Sequence, residues 1–288
     1  MARKVLITGA SGQLAAAIVE TFRADSEIVG LARGELDVTD DDAVEARLRS
    51  ERPAVIINCA SYNDVDGAEQ QPVRALEVNA FAVRELARAA DRIGAVFIHY
   101  GSDFVFDGTA SRPYVEDDEP NPQSVYAASK LLGEWFALEA QRGFVLRVES
   151  LFGARGSGRR SSLDTIVAGI QAGASVPVFT DRTVSPAYVF DIAAATHALI
   201  RAGAAAGLYH CVNTGACSWH DIATEAARLL GREPRLAPIT LGSVALRAPR
   251  PKFSALDNTK LRALGIVMPT WQDALARHLT RSADIFQG

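Results

Sequence analysis

Short apolar runs recur down the first half of the chain, each closed by small or turn-forming residues and followed by helical periodicity. Residues 5–7, 27–31, 54–58, 96–100 and 144–148 read as strands, with helices over 16–22, 72–93 and 124–138. Runs that are apolar on both faces suit parallel strands buried between two helical layers. The alternation predicts an α/β fold with a doubly wound, parallel Rossmann-type sheet. After residue 148 the pattern loosens. A helix over 162–171, a short strand at 176–179 and a helix within 186–201, with Asp191 in its first turns, precede a strand-like run at 207–212. Ser218 caps a helix reaching 230, and Asp257 and Thr270 each start a short helix. The expected division is a dinucleotide-binding domain over 1–150, also receiving a returning segment around 180–203, and a smaller α/β lobe built mainly from 151–288. A Gly/Arg/Ser-rich stretch at 153–162 reads as a loop near the mouth of a site.

The first strand runs into Thr8-Gly9-Ala10-Ser11-Gly12-Gln13-Leu14-Ala15. A strand, a glycine turn and a helix in that order form the context a dinucleotide phosphate needs. Gly9 permits the tight turn, and Gly12 lets the backbone approach a pyrophosphate. The amino end of the following helix supplies free N–H groups and a positive dipole, with Gln13 and Leu14 in the turn before it. Ala15 stands where a third glycine is common and is small enough for close helix packing. At the end of the second strand an acid would hold a ribose 2′-hydroxyl, and a base would accommodate a 2′-phosphate. The chain has Ala32-Arg33 there, which favours NADP over NAD. Thr39 or Asp40 caps the next helix. The third strand ends in Cys59-Ala60-Ser61, small enough for a cofactor to lie across it.

Tyr126 and Lys130 sit four residues apart in the helix over 124–138, so both side chains share one face. A neighbouring ammonium favours a phenolate and is expected to lower the tyrosine pKa, making the hydroxyl a usable acid or base. Ser102, 24 residues before Tyr126, follows a buried strand and can point from its end towards that helix. Alone, the Tyr-x-x-x-Lys spacing would read as a surface pair on an amphipathic helix. The surrounding strand and loop pattern reverses that reading.

Composition narrows the partners. The formal net charge of -4 and the scattered basic residues offer no field for nucleic acid. No apolar run is long enough to span a membrane. Three cysteines, Cys59, Cys211 and Cys217, make no disulfide framework and suit a reducing compartment. With an opening that runs straight into the first strand, no signal peptide and a cytoplasmic location are expected. His210, Cys211, Cys217 and His220 match no paired zinc-ligand spacing, and a strand at 207–212 turns His210 and Cys211 to opposite sides. His210 is expected to be packed. Trp135 and Phe136 are expected in the core, and Asp117-Asp118-Glu119 in a solvated loop.

Taken in order, these motifs resemble the extended short-chain dehydrogenase/reductases, and within them the dTDP-4-dehydrorhamnose reductase family. The shared landmarks are Thr8 to Leu14, Asp37-Val38-Thr39-Asp40, Val65-Asp66 with Ala68-Glu69, and Ser102-Asp103-Phe104-Val105-Phe106-Asp107-Gly108. They continue with Asn121-Pro122, Val125-Tyr126, Ser129-Lys130-Leu131, Gly207-Leu208-Tyr209-His210, Ser218-Trp219-His220 and Lys252 to Asp257. The resemblance implies a catalytic set of Ser102, Tyr126 and Lys130. Tyr126 would protonate a keto oxygen, Ser102 would hold that oxygen, and Lys130 would bind the nicotinamide ribose and acidify Tyr126. It implies NADP(H), with NAD as second choice, held by Gly9, Ser11, Gly12, Gln13, Leu14, Arg33, Asp37, Val38, Cys59, Ala60, Ser61, Asn63, Tyr126 and Lys130. The implied substrate is a nucleotide-linked 4-keto-6-deoxy sugar between the two lobes, near Val65, Ser102, Asp103, Phe104, Tyr126 and Ser150.

Four departures stand out. Ser150 replaces the family's tryptophan, Phe104 its tyrosine and Gly101 its usual serine. Ala17 replaces a carboxylate that contributes to a magnesium site in some members, so no metal is expected. A dehydratase would carry an Asp-Glu pair after the catalytic hydroxyl, but Asp103 is followed by Phe104. An epimerase remains an alternative, as does a non-catalytic subunit resembling the regulatory subunit of methionine adenosyltransferase. A homodimer is a candidate assembly with no sequence feature of its own.

Overall fold

The computed structural model describes residues 3–153 and 161–286, the last five as backbone only. The chain runs β1 (Arg3–Thr8), α1 (Gln13–Phe22), β2 (Ser26–Leu31), α2 (Asp41–Glu51) and β3 (Val55–Asn58). Then come α3 (Val65–Ala68), α4 (Pro72–Leu76), a π-helical turn (Glu77–Phe81), α5 (Ala82–Ile93) and β4 (Val96–Ser102). Next are α6 (Val125–Leu138), β5 (Gly143–Val148), β6 (Leu151–Phe152), α7 (Ser162–Gln171), β7 (Ser175–Phe179), β8 (Thr183–Val184) and β9 (Ala187–Tyr188). The chain closes with α8 (Val189–Ala202), β10 (Gly207–His210), β11 (Cys217–Ser218), α9 (Trp219–Leu230), β12 (Arg235–Ile239), α10 (Thr259–Ala263) and α11 (Trp271–Phe286).

Six strands form one parallel sheet in the order β10-β5-β4-β3-β1-β2. Alternate side chains of each strand feed two separate cores, as strand geometry requires. Val5, Ile7, Val55, Ile57, Ile98 and Leu146 face one layer, where Ile18 and Phe22 of α1 meet Ile192 and Leu199 of α8. Leu6, Ile56, Phe97 and Val145 face the other, against Val44 and Leu48 of α2 and Val83 and Leu86 of α5. The doubly wound sheet expected from the apolar runs is therefore present. Its strand order reverses between β1 and β3, and the crevice beyond their carboxyl ends is where such sheets bind ligands.

A third core lies off the sheet, where α7, α9 and α11 enclose Val176, Val178, Trp219, Ile222, Trp271 and Leu275. The pairs β7–β12, β8–β11 and β6–β9 border it. The returning segment is longer than 180–203. β10 pairs in parallel with β5, because Leu208 and Tyr209 continue the sheet's apolar pattern. The helix from Thr270 is also not short; α11 spans 16 residues.

The long helix expected over 72–93 is broken by the π turn at Glu77–Phe81. Its cause is visible in Asn79, which is fully buried. The Asn79 amide accepts from the Ser61 hydroxyl (3.0 Å) and the Tyr62 N–H (2.8 Å), and donates to the Tyr62 carbonyl and the Ser129 hydroxyl. A regular helix would rotate this side chain away from the partners it satisfies. The stretch 154–160, within the expected mouth loop, lies outside the described residues.

Candidate active site

The cofactor loop is built by close approach. Gly9 has φ +65°, and a Cβ there would fall 2.7–2.8 Å from the Cys59 and Ala60 backbone. Only glycine lets this turn lie against the end of β3. Gly12 is the N-cap of α1 in extended geometry, with no side-chain cap. The first N–H groups of α1 are therefore left for a ligand, as an anion site requires. Ser11 and Gly12 are exposed, and Leu14 is buried. Gln13 donates to the Leu151 carbonyl (3.4 Å), tying the loop to the segment after β5.

Asn58 locks the crevice from beneath. Its side-chain oxygen accepts from the Thr8 hydroxyl (2.6 Å) and the Ala60 N–H (3.1 Å). Its amide faces the Nδ1 of buried His99 at 3.1 Å, and burial holds that imidazole neutral. Val38 is buried and Asn63 exposed. Arg33 stands mostly in solvent, 3.8 Å from Asp37, which Arg74 also approaches at 3.7 Å. Glu35 accepts the Ala32 N–H (2.8 Å) and shapes the turn that presents Arg33. A 2′-phosphate would find two guanidinium groups at this corner.

Ser102 ends β4, on the side of the sheet where buried Tyr126 of α6 lies. The Ser102 hydroxyl donates to Asp103 (3.1 Å) and accepts from the Phe104 N–H (3.2 Å). The start of α6 is fixed by its Ser124 cap and by Glu69, which accepts the Val125 N–H at 2.8 Å. Lys130 is buried, with its ammonium donating to the Tyr100 carbonyl at 2.6 Å. Burial draws that ammonium down to about 8, against the opposing influence of Glu134. Ser102, Tyr126 and Lys130 thus converge beside the glycine loop.

One electrostatic expectation is corrected. The Tyr126 phenol is pushed well above its ordinary value, not lowered: burial comes first, then the negative charge of Asp103. Desolvation outweighs an ammonium that is engaged with the Tyr100 carbonyl.

The substrate-side residues divide. Val65 and Phe104 pack with Tyr126 in a small cluster, Phe104 meeting the Tyr126 ring edge-on at 5.6 Å. Asp103 is buried beside Ser102. Ser150 adopts a left-handed backbone, φ +43°, and lines a small apolar cavity with Phe152, Trp219 and Trp271. Gly101 makes room for a carboxylate: a Cβ there would lie 2.2 Å from Oε1 of Glu134. Glu134 accepts the Ser102 N–H (3.2 Å) and pairs with buried Arg147 (2.8 Å). Ala17 is fully buried in the core against the sheet. Trp135, expected in the core, is 56% exposed.

Several residues that shape this site escaped the motif reading: Asn58, Asn79, Glu134, Glu149, Arg182 and Ser254. Each is a polar side chain whose partner lies far along the chain, so no local spacing marks it. The break in apolar pattern at Glu149, directly after a buried strand, was the one signal available.

Residues 3–283 match the RmlD substrate binding domain. The chain belongs to that family. It is 38% identical over 279 residues to a dTDP-4-dehydrorhamnose reductase of Streptomyces griseus, spanning 94% of this chain and 91% of the relative. It is 32% identical to a dTDP-4-keto-6-deoxy-D-glucose reductase of Streptomyces niveus, covering 96% of each. The crystal structure of a Bacillus anthracis dTDP-4-dehydrorhamnose reductase in complex with NADP superposes with TM-score 0.92 at 31% identity, over 98% of this chain and 100% of that one. That superposition takes in both the sheet and the smaller third core described above.

His210, set aside as a zinc ligand, is buried. Its Nδ1 faces the Tyr114 and Asp257 carbonyls at 3.1 and 3.2 Å, and the His210 backbone N–H donates to Glu116.

Proposed function

We propose that this chain reduces the 4-keto group of a dTDP-linked 4-keto-6-deoxy sugar with NADPH. The observation that carries the reading is the placement of buried Tyr126 and Lys130 on α6 beside Ser102 at the carboxyl end of β4, with Lys130 held by the Tyr100 carbonyl, near an uncapped helix terminus and the Gly9 turn. When bound, NADPH supplies the hydride. Gly9, Ser11, Gly12, Gln13 and Leu14 would hold its pyrophosphate, and Cys59, Ala60, Ser61 and Asn63 would flank its path across β3. Arg33 with Arg74 would face the 2′-phosphate, and Asp37 and Val38 the adenosine.

Tyr126 is the general acid in this reading. Its raised pKa keeps the phenol protonated until alkoxide charge develops. Ser102 donates to the same oxygen, adding a preorganised dipole where charge appears. Lys130, anchored by the Tyr100 carbonyl, orients the ribose. Val65, Phe104, Asp103 and Ser150 border the sugar, and the missing aromatic surface at Ser150 leaves the choice of sugar to other side chains.

Free thiols at Cys59, Cys211 and Cys217 support a reducing, cytoplasmic setting. Among the described residues, no helix is long and apolar enough to cross a membrane. A homodimer is the assembly we favour, because Phe81, Trp135 and Leu138 are exposed on neighbouring helical segments. Sedimentation velocity of Trp135→Asp tests this: dissociation supports it, and an unchanged mass rejects it. The function itself is tested by NADPH oxidation with dTDP-4-dehydrorhamnose, where absence of turnover by a chain that binds NADPH would reject the reductase reading.

A further inference from the structure

Ser102 stands where its own sheet stops supporting it. β3 pairs with β4 only as far as Asn58 opposite His99, and the Tyr100 carbonyl and Ser102 N–H lie beyond that point. A buried backbone group must find a partner elsewhere. Both find one on α6, one helical turn apart. Lys130 donates to the Tyr100 carbonyl at 2.6 Å, and Oε1 of Glu134 accepts the Ser102 N–H at 3.2 Å.

Glu134 is buried and divides its contacts between its two oxygens. Arg147 reaches it from Nε (2.9 Å) and from Nη2 (2.8 Å), both on Oε2. Oε1 is left to Ser102. Arg147 is fixed in turn: its guanidinium lies 5.0 Å over the Phe106 ring, and its Nη1 stands 3.5 Å from Nε2 of His210. Nδ1 of His210 faces two carbonyls and so carries the ring proton, which leaves Nε2 to accept from Arg147. Gly101 completes the arrangement. A Cβ there would fall 2.2 Å from Oε1 of Glu134 and 3.1 Å from Cγ of Arg147, so the bare backbone is what lets the carboxylate lie against this peptide.

We propose that Glu134 is a positioning residue for the reduction: through Oε1 it fixes the Ser102 peptide, and with it the direction in which the Ser102 hydroxyl meets the reacting oxygen. This rests on the reductase reading above. Glu134 acts through Ser102 and has no contact with the reacting atoms. A hydroxyl dipole stabilises alkoxide charge best when it is aimed before that charge develops. An ion pair kept for folding alone would need only Oε2. The second oxygen, the room made by Gly101 and the spacing from Lys130 all serve the end of β4.

Glu134→Gln decides the matter. The variant keeps the shape but offers one oxygen where two are used. Arg147, with two bonds, claims that oxygen, and the amide NH2 is turned against the Ser102 N–H, donor against donor. In NADPH-dependent reduction of dTDP-4-dehydrorhamnose by the full chain, kcat should fall roughly 10–100-fold, the scale of a reacting group misplaced by about 1 Å, with both KM values within about twofold. Exchange of the Ser102 amide hydrogen in the unliganded protein, followed by NMR, should quicken by about tenfold or more, the loss of one hydrogen bond to a charged group. A purely structural Glu134 predicts a lower urea midpoint with kcat per folded molecule unchanged. That result overturns the proposal, as does Ser102 exchange at the wild-type rate. Gly101→Ala is the second variant, and it keeps the Glu134–Arg147 charges while its Cβ pushes Oε1 off the Ser102 N–H. It should reproduce both the fall in kcat and the faster exchange. Wild-type values for either overturn the proposal even where Glu134→Gln does not fold. A wild type that binds NADPH but turns over no sugar rejects the reductase reading and this proposal together, whereas an active wild type with equally active variants rejects this proposal alone.

Discussion

Tyr126 keeps its proton because the fold buries it beside carboxylates. That suits a group whose task is to donate as alkoxide forms. Lys130 shows the complementary effect: it titrates near 8 in the folded chain and near its ordinary 10.5 when unfolded. Between these values the unfolded chain binds more protons, so this group's contribution to stability rises with pH across the window. Lys130→Met should remove a slope of at most ~1.4 kcal/mol per pH unit, measurable as the difference between two urea titrations. At the other end of the site, Arg33→Ala should raise KM for NADPH about tenfold while leaving KM for NADH unchanged, the loss of one charge-assisted contact. Equal effects on both cofactors would remove Arg33 from the 2′-phosphate site. The glycine turn and the Tyr-x-x-x-Lys pair were legible because their chemistry depends on spacing within one element. Asp103, Ser254 and Glu149 meet only after three separate segments fold together, so their partnership had no local signature.

Elements are held where capping and burial agree. Ser218 and Asp221 form a reciprocal capping box at the start of α9. Ser218→Ala should cost about 1 kcal/mol in denaturant unfolding and leave kcat unchanged, since α9 packs in the third core. The strands of the large sheet were readable because both faces are apolar. The π turn was not, because the periodicity of residues 72–93 is that of one continuous helix. What breaks it is Asn79, whose four bonds reach the Ser61–Tyr62 loop and α6. That turn connects the cofactor side of the crevice to the helix carrying Tyr126 and Lys130.

Across the whole molecule, the sheet and the third core are joined by polar clamps around the site. Asp66 on α3 takes both the Arg250 guanidinium (2.8 Å) and the N–H groups of Arg247 and Ala248. Glu149 holds Ser185 and Ser254 from β5's end. Arg250→Ala should therefore raise KM for the sugar several-fold with little change in NADPH affinity, as read by steady-state kinetics and fluorescence titration. An equal loss of both would mean the clamp supports the fold rather than the sugar side. The later half of the chain was the harder half to read, since β8, β9 and β11 are two-residue strands. Strands that short carry no period; their placement depends on packing against Trp219 and Trp271.

The most direct test is NADPH oxidation with dTDP-4-dehydrorhamnose by wild type and Tyr126→Phe. The account predicts turnover by the wild type and a fall in kcat of about 10²–10⁴-fold in the variant, with NADPH affinity unchanged. Equal turnover by both proteins would contradict it.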